Sequence, residues 1–181
     1  EAATLTINPG AQTIKMGGTI KLTDASQDFV IDYPLLLSAH TSFNIAGNII
    51  IKDSASPAKV GRINSETTAR TLTLKAGSGK SIQIQNGTST GAGFGNTNQL
   101  STITINSSLE LSADTTFKTS GTNGITFAGT GTLTLGGSGG TLSITGNLRN
   151  NGSWTINRPL LINGDFSNLS GKTLTVNADI D

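Results

Sequence analysis

From Leu142 to Phe166 the chain repeats a six-residue pattern: LSITGN, LRNNGS, WTINRP, LLINGD, FSNLSG. Leu142, Leu148, Trp154, Leu160 and Phe166 open the hexads. Ile144, Ile156 and Ile162 follow two places later, with Asn150 and Asn168 in the other two registers. Residues at i and i+2 share one face of a strand, and a glycine two places on (Gly146, Gly152, Gly164) lets the chain turn with positive φ. Each hexad therefore predicts a short strand and a corner. Such a strand cannot bury its apolar face alone, but hexads stacked as rungs of a coil enclose a continuous core. Within that core Trp154 is expected to point inward, against a neighbour such as Leu148 or Leu160.

The same beat recurs far upstream, at Ile31, Leu37, Phe43 and Ile49, and again at Ile103, Ile105, Leu109 and Leu111. Alternating strands are also predicted at 4–7, 14–16, 20–22, 71–74, 82–84 and 174–176, while Phe117, Ile125, Phe127, Leu133 and Leu135 keep a looser rhythm. Two stretches lack the beat, about 53–70 and 86–99, and are read as loops protruding from the coil. No window of eleven or more residues has clean helical periodicity. Roughly twenty strands at three per coil give about seven coils, a body about 33 Å long. The fold expected is all-β: a parallel β-solenoid, or β-helix, forming a single domain over residues 1–181.

Composition agrees with many corners and few helices: Gly accounts for 23 residues and Pro for 4. Charged residues make up 13% of the chain, well under the roughly 25% of an average globular protein, so the surface is mainly neutral Thr, Ser and Asn. Net charge is +1 with no basic run, which argues against a nucleic-acid partner. Nothing approaches the length of an apolar membrane span. The absence of Cys excludes disulfides and thiolate sites. The start, Glu1-Ala2-Ala3-Thr4, has no charged or apolar leader region, and the expectation is that a signal peptide has been removed.

The segments Gly146-Asn-Leu-Arg-Asn-Asn-Gly-Ser-Trp-Thr-Ile and Gly131-Thr-Leu-Thr-Leu-Gly-Gly resemble the repeats of bacterial surface β-solenoids, namely autotransporter passenger domains and filamentous-haemagglutinin-type adhesins. The resemblance covers residues 100 to 177 well and the first half in rhythm alone. It implies a secreted or cell-surface protein, adhesive or structural, with a right-handed coil the commoner hand. It carries no family active site.

Candidate chemistry is thin. Residues 74–81 superficially match a phosphate-binding loop, but Leu74 stands where the motif needs Gly, and a strand follows where a helix should. His40 is the sole histidine and has no Cys to share a metal with, so a structural role is expected. Asp28 with Asp32, and Glu110 with Asp114, share strand parity and raise acid–base chemistry or a Ca²⁺ site. The expectation is solvated or locally bonded acids, with no catalytic residue and no cofactor, Ca²⁺ being the one metal considered. Thr-x-Thr pairs at 4/6, 71/73, 102/104, 132/134 and 173/175 suggest the Thr ranks of ice-binding solenoids. They lie about 30 to 67 residues apart, which is read as more than one coil. Asn86, Asn106, Asn151 and Asn168 open glycosylation sequons.

The leading expectation is a non-catalytic extracellular structural protein that polymerises head to tail into a filament or surface matrix. No capping element is evident at either end, so the candidate interface is Thr4, Leu5, Thr6 and Ile7 at one end and Leu174, Thr175, Val176 and Ile180 at the other. The alternative is an adhesin binding glycans or surfaces through its loops. A carbohydrate-active enzyme or an ice-binding protein ranks below both.

Overall fold

The structure, a computed structural model, describes residues 13–52, 62–85, 93–135 and 140–181, without the side chains of Thr134 and Leu135. These form 17 strands in one parallel sheet that winds on itself, and none of the described residues is helical. The ladders resolve into seven coils with three faces. Coil 1 holds β1 (Ile14–Leu22) and β2 (Phe29–Ile31), and coil 2 holds β3 (Leu35–Ile45) and β4 (Ile49–Lys52). Coil 3 holds β5 (Arg62–Ser65), β6 (Thr71–Lys75) and β7 (Ser81–Gln85). Coil 4 holds β8 (Gly93–Phe94), β9 (Thr102–Ile105) and β10 (Ser108–Leu111). Coil 5 holds β11 (Thr115–Lys118) and β12 (Ile125–Leu135), and coil 6 holds β13 (Leu142–Thr145) and β14 (Leu148–Ile156). Coil 7 holds β15 (Leu160–Asn163), β16 (Phe166–Asn168) and β17 (Thr173–Val176). β1, β3, β12 and β14 run through a corner and each serve two faces. The chain is thus a parallel β-solenoid.

The hexad is one face of a coil. Leu142 pairs in register with Leu160, Leu148 with Phe166, and Ile144 with Ile162, so three hexads close a turn. Trp154 opens the third face of coil 6 between Leu148 on the second and Leu160 on the first of coil 7. Corners turn in more than one way. Gly146 takes positive φ (125°), whereas Gly152 is needed for close approach: a Cβ there would lie 2.0 Å from the Gly129 carbonyl oxygen of the coil below.

Inward positions stack into columns along the axis. On the first face Leu35, Ile63, Phe94, Phe117 and Ile144 follow one another. On the second the order is Phe43, Leu74, Ile105, Phe127 and Asn150. On the third it is Phe29, Ile49, Ile82, Leu109, Leu133 and Ile156. All of these are buried, and all but the polar Asn150 belong to one hydrophobic core. Each fully buried Leu, Ile or Phe side chain contributes roughly 1.5–3 kcal/mol relative to exposure, and the in–out alternation along strands such as β4, β6, β9 and β10 is what makes this possible. Phe94 and Phe117, on successive rungs, stack with centroids 4.4 Å apart and planes 12° apart.

Both segments read as protruding loops contain core. β5 lies within 53–70 and β8 within 86–99, and Ile63 and Phe94 have no exposed surface. Their sequence hides them because each face-1 strand here carries a single apolar inward residue, followed by Asn64-Ser65 or Gly95-Asn96 instead of a second apolar position. Residues 53–61 and 86–92 lie outside the described residues.

Trp154 is inward, 1% exposed, as the hexads require, in the same core cluster as Leu148 and Leu160. Its indole stacks on Phe127 in the coil below, centroids 4.4 Å and planes 16° apart, and its Nε1–H donates to the Ala128 carbonyl at 3.1 Å. Room for it comes from its register partner Gly131, where a Cβ would lie 2.7 Å from the indole Cζ2.

Candidate functional site

Coil 7 is the last rung of the described stack and continues its inward columns. Among the described residues β16 pairs with β14 alone and β17 with β14 alone. Phe166 sits above Leu148 and Val176 above Ile156, both in inward register, and among the described residues they are 45% and 44% exposed. Leu174, over Trp154, is half-buried. The first face differs. Residues 179–181 already begin a further turn over β15: Leu160 N–H donates to the Asp179 carbonyl, Asp181 N–H to the Leu160 carbonyl, and Ile180 bridges Leu160.

The candidate interface residues therefore fall into distinct places. Leu174 and Val176 keep the inward register of coil 7, Thr175 faces outward beside them, and Ile180 lies one turn further on. Thr4, Leu5, Thr6 and Ile7 lie outside the described residues. Phe166 and the outward Leu161, 46% exposed, were not among the expected interface residues. The signal for Phe166 was present: it opens the last hexad, three hexads after Leu148.

Corner side chains hold successive coils together. Asp28 Oδ1 accepts from the Asn48 backbone N–H at 2.8 Å, and Asn48 Oδ1 accepts from Ser81 N–H at 3.0 Å. Asp114 Oδ1 accepts from Thr141 N–H at 2.8 Å. Asn150 donates from Nδ2 to Asn168 Oδ1 at 2.7 Å and to the Gly152 and Thr173 carbonyls, while its own Oδ1 is buried with no partner among the described residues. His40 Nδ1 accepts from Thr71 N–H at 3.0 Å, tying coil 2 to coil 3. These contacts are short polar bridges between rungs, and they engage Asp28 and Asp114 as backbone acceptors. Among the described residues no group of three or more His, Cys, Asp or Glu side chains is placed to hold a metal ion, and no helix is long and apolar enough to cross a membrane.

Asp24, in an exposed turn, has its carboxyl held below the ordinary carboxylate range, first by the Ser26 hydroxyl and then by the Ser26 backbone N–H, both bonded to its Oδ1.

The Thr pairs are closer in space than their sequence separation suggests. Thr71 and Thr73 pair directly with Thr102 and Thr104, and Thr132, Thr155 and Thr175 follow one another on the third face. From Thr71 to its register partner Thr102 is 31 positions along the chain, so pairs about 30 residues apart do occupy adjacent rungs.

A concavity of about 670 Å³ lies on the corner between the second and third faces of coils 3 to 5. It includes the segment 75–81, which enters strand β7 and not a helix, so the phosphate-loop geometry is absent from it.

Compared with known protein families, curated proteins and solved structures, the chain matches none.

Proposed function

We propose that the protein is a non-catalytic structural solenoid that joins end to end, with the second and third faces of coil 7 accepting coil 1 of a second copy. The observation that supports this reading is the register of coil 7, the last rung described, where Phe166 and Val176 continue the inward columns of Leu148 and Ile156 on the second and third faces. Coil 1 supplies the matching cross-section. Among the described residues its strands pair on one side alone, and Ile14, Met16, Ile20 and Leu22 line its inward side, half-buried. Every ladder in the stack is parallel, so coil 1 of one copy meets coil 7 of the next with strand direction preserved. Such a contact is heterologous: it uses two different surfaces and propagates into a fibre instead of closing as a dimer. The neutral, hydroxyl-rich faces suit side-by-side packing in a matrix, and the resemblance to bacterial surface solenoids favours an extracellular one.

The test replaces Phe166 and Val176 together with Lys and follows both proteins by sedimentation velocity and negative-stain electron microscopy. Wild-type protein is expected to form filaments or long oligomers with rising concentration, and the double variant to remain a soluble monomer. Wild-type protein that stays monomeric at high concentration overturns the reading.

A further inference from the structure

A second surface carries an inference that does not rest on end-to-end joining. Corner length varies along the edge between the second and third faces. Residues 75–81 connect Leu74 to Ile82, 106–108 connect Ile105 to Leu109, and 128–132 connect Phe127 to Leu133. Those core residues are stacked in register, so the short corner of coil 4 lies recessed between two longer ones. The recess is the groove of about 670 Å³, and it spans three rungs along the axis.

Its chemistry is specific. Lys75 and Lys80 stand on the coil 3 side, and among the described residues neither holds an ion pair. The remaining lining is mostly hydroxyl and amide: Ser78, Asn106, Ser108 and Thr130 are typical. The floor is fixed. Ser107 Oγ accepts from Ala76 N–H at 3.0 Å and donates to the Ala76 carbonyl at 2.9 Å, and the Ser108 and Thr132 hydroxyls meet at 3.2 Å. Glu110 is the one acid in the lining.

We infer that this groove binds an anionic polysaccharide, its chain lying along the solenoid axis. The two ammonium groups take carboxylate or sulfate groups, and the hydroxyl and amide rows exchange hydrogen bonds with sugar hydroxyls. Glu110 accepts from sugar hydroxyls and repels an acidic group from its end of the groove, which sets the register of the chain. The lining contains no aromatic ring, so a single-stranded nucleic acid finds no stacking platform. It also lacks the large apolar pocket that would anchor a peptide side chain. A ligand rich in hydroxyls with spaced negative charges fits what remains.

The experiment titrates ¹⁵N-labelled full chain with three hexasaccharides: a uronate hexamer, a heparin hexasaccharide and neutral maltohexaose. Shifts are expected at the amides of Ser78, Asn106 and Thr130 with one or both anionic sugars, weakening as salt rises. The pattern of the two anionic arms identifies carboxylate or sulfate as the recognised group. The double variant K75A/K80A, whose changes lie at a strand end and a turn, is expected to keep the wild-type melting curve and to lose affinity roughly tenfold per lysine. Anionic sugars that leave these amides unmoved, binding unchanged in K75A/K80A, or equal binding of maltohexaose overturns the inference. The readout lies in coils 3 to 5, so it is independent of whether coil 7 joins a second copy.

Discussion

The indole of Trp154 lies parallel to the ring of Phe127 one coil below, with centroids 4.4 Å apart. Gly131, the register partner of Trp154, leaves the space that the indole's six-membered ring fills. One rung thus supplies a ring and a gap, and the next supplies the group that uses both. Replacing Trp154 with Ala opens a cavity bounded by Phe127 and Leu174 and is expected to cost roughly 3–5 kcal/mol in chemical denaturation. Native fluorescence should be blue-shifted and resist acrylamide. Gly131→Ala puts a methyl against the indole and is expected to destabilise by about 1–3 kcal/mol through overpacking.

Ile63 tests whether 62–65 belongs to the core. It is fully buried between Leu35 and Phe94 on neighbouring rungs. Ile63→Ala is expected to cost about 2–5 kcal/mol, against less than about 0.5 kcal/mol for a surface substitution such as Thr130→Ser. A loss at Ile63 no larger than the surface control would return the segment to the status of a loop.

How much was legible follows from these two residues. The hexads announce the strand, the corner and the inward register directly, since an apolar pair at i and i+2 needs no tertiary information to be read. That is why Trp154 was placed inside. Its stacking on Phe127 is harder to read because rung neighbours are separated by a whole coil, and coil length varies from the short turn linking Ile144 to Ile162 to the long one linking Ile49 to Ile82. The same variation concealed the alignment of Thr71 with Thr102, whereas β5 and β8 were hidden by having a single apolar inward residue each. The groove of coils 3 to 5 was invisible for a related reason: it arises from a difference between three corner lengths, and no one corner encodes it.

Asp24 provides a pH-dependent signal. Its folded pKa is depressed by Ser26, so its contribution to stability is present above the unfolded value and is lost as pH falls through the folded one. A carbon-detected NMR titration is expected to find the Asp24 carboxyl titrating below an unstructured aspartate. Ser26→Ala removes the hydroxyl bond, the larger cause, and is expected to move the midpoint upward. An unchanged midpoint would mean that the hydroxyl bond does not form in solution.

Asn150 is fully buried where its column otherwise holds Phe43, Leu74, Ile105 and Phe127. Its Nδ2 group serves three acceptors on coils 6 and 7, so it acts as a polar clasp between β14 and the β16–β17 corner. Asn150→Ala strands the Gly152 and Thr173 carbonyls and is expected to cost about 1–3 kcal/mol. The cost should fall on coil 7. In a stack each rung contacts its neighbours alone, so opening proceeds from an uncovered edge inward. Hydrogen exchange is therefore expected to be fastest in β16 and β17, slower in β14, and slowest in β6, β7, β9 and β10, which have partners on both sides. Asn150→Ala is expected to accelerate exchange in β16 and β17 while leaving β6 to β10 unchanged. Uniform acceleration across all seven coils would show instead that the solenoid opens as one cooperative unit, and that Asn150 stabilises the whole stack and not its last rung.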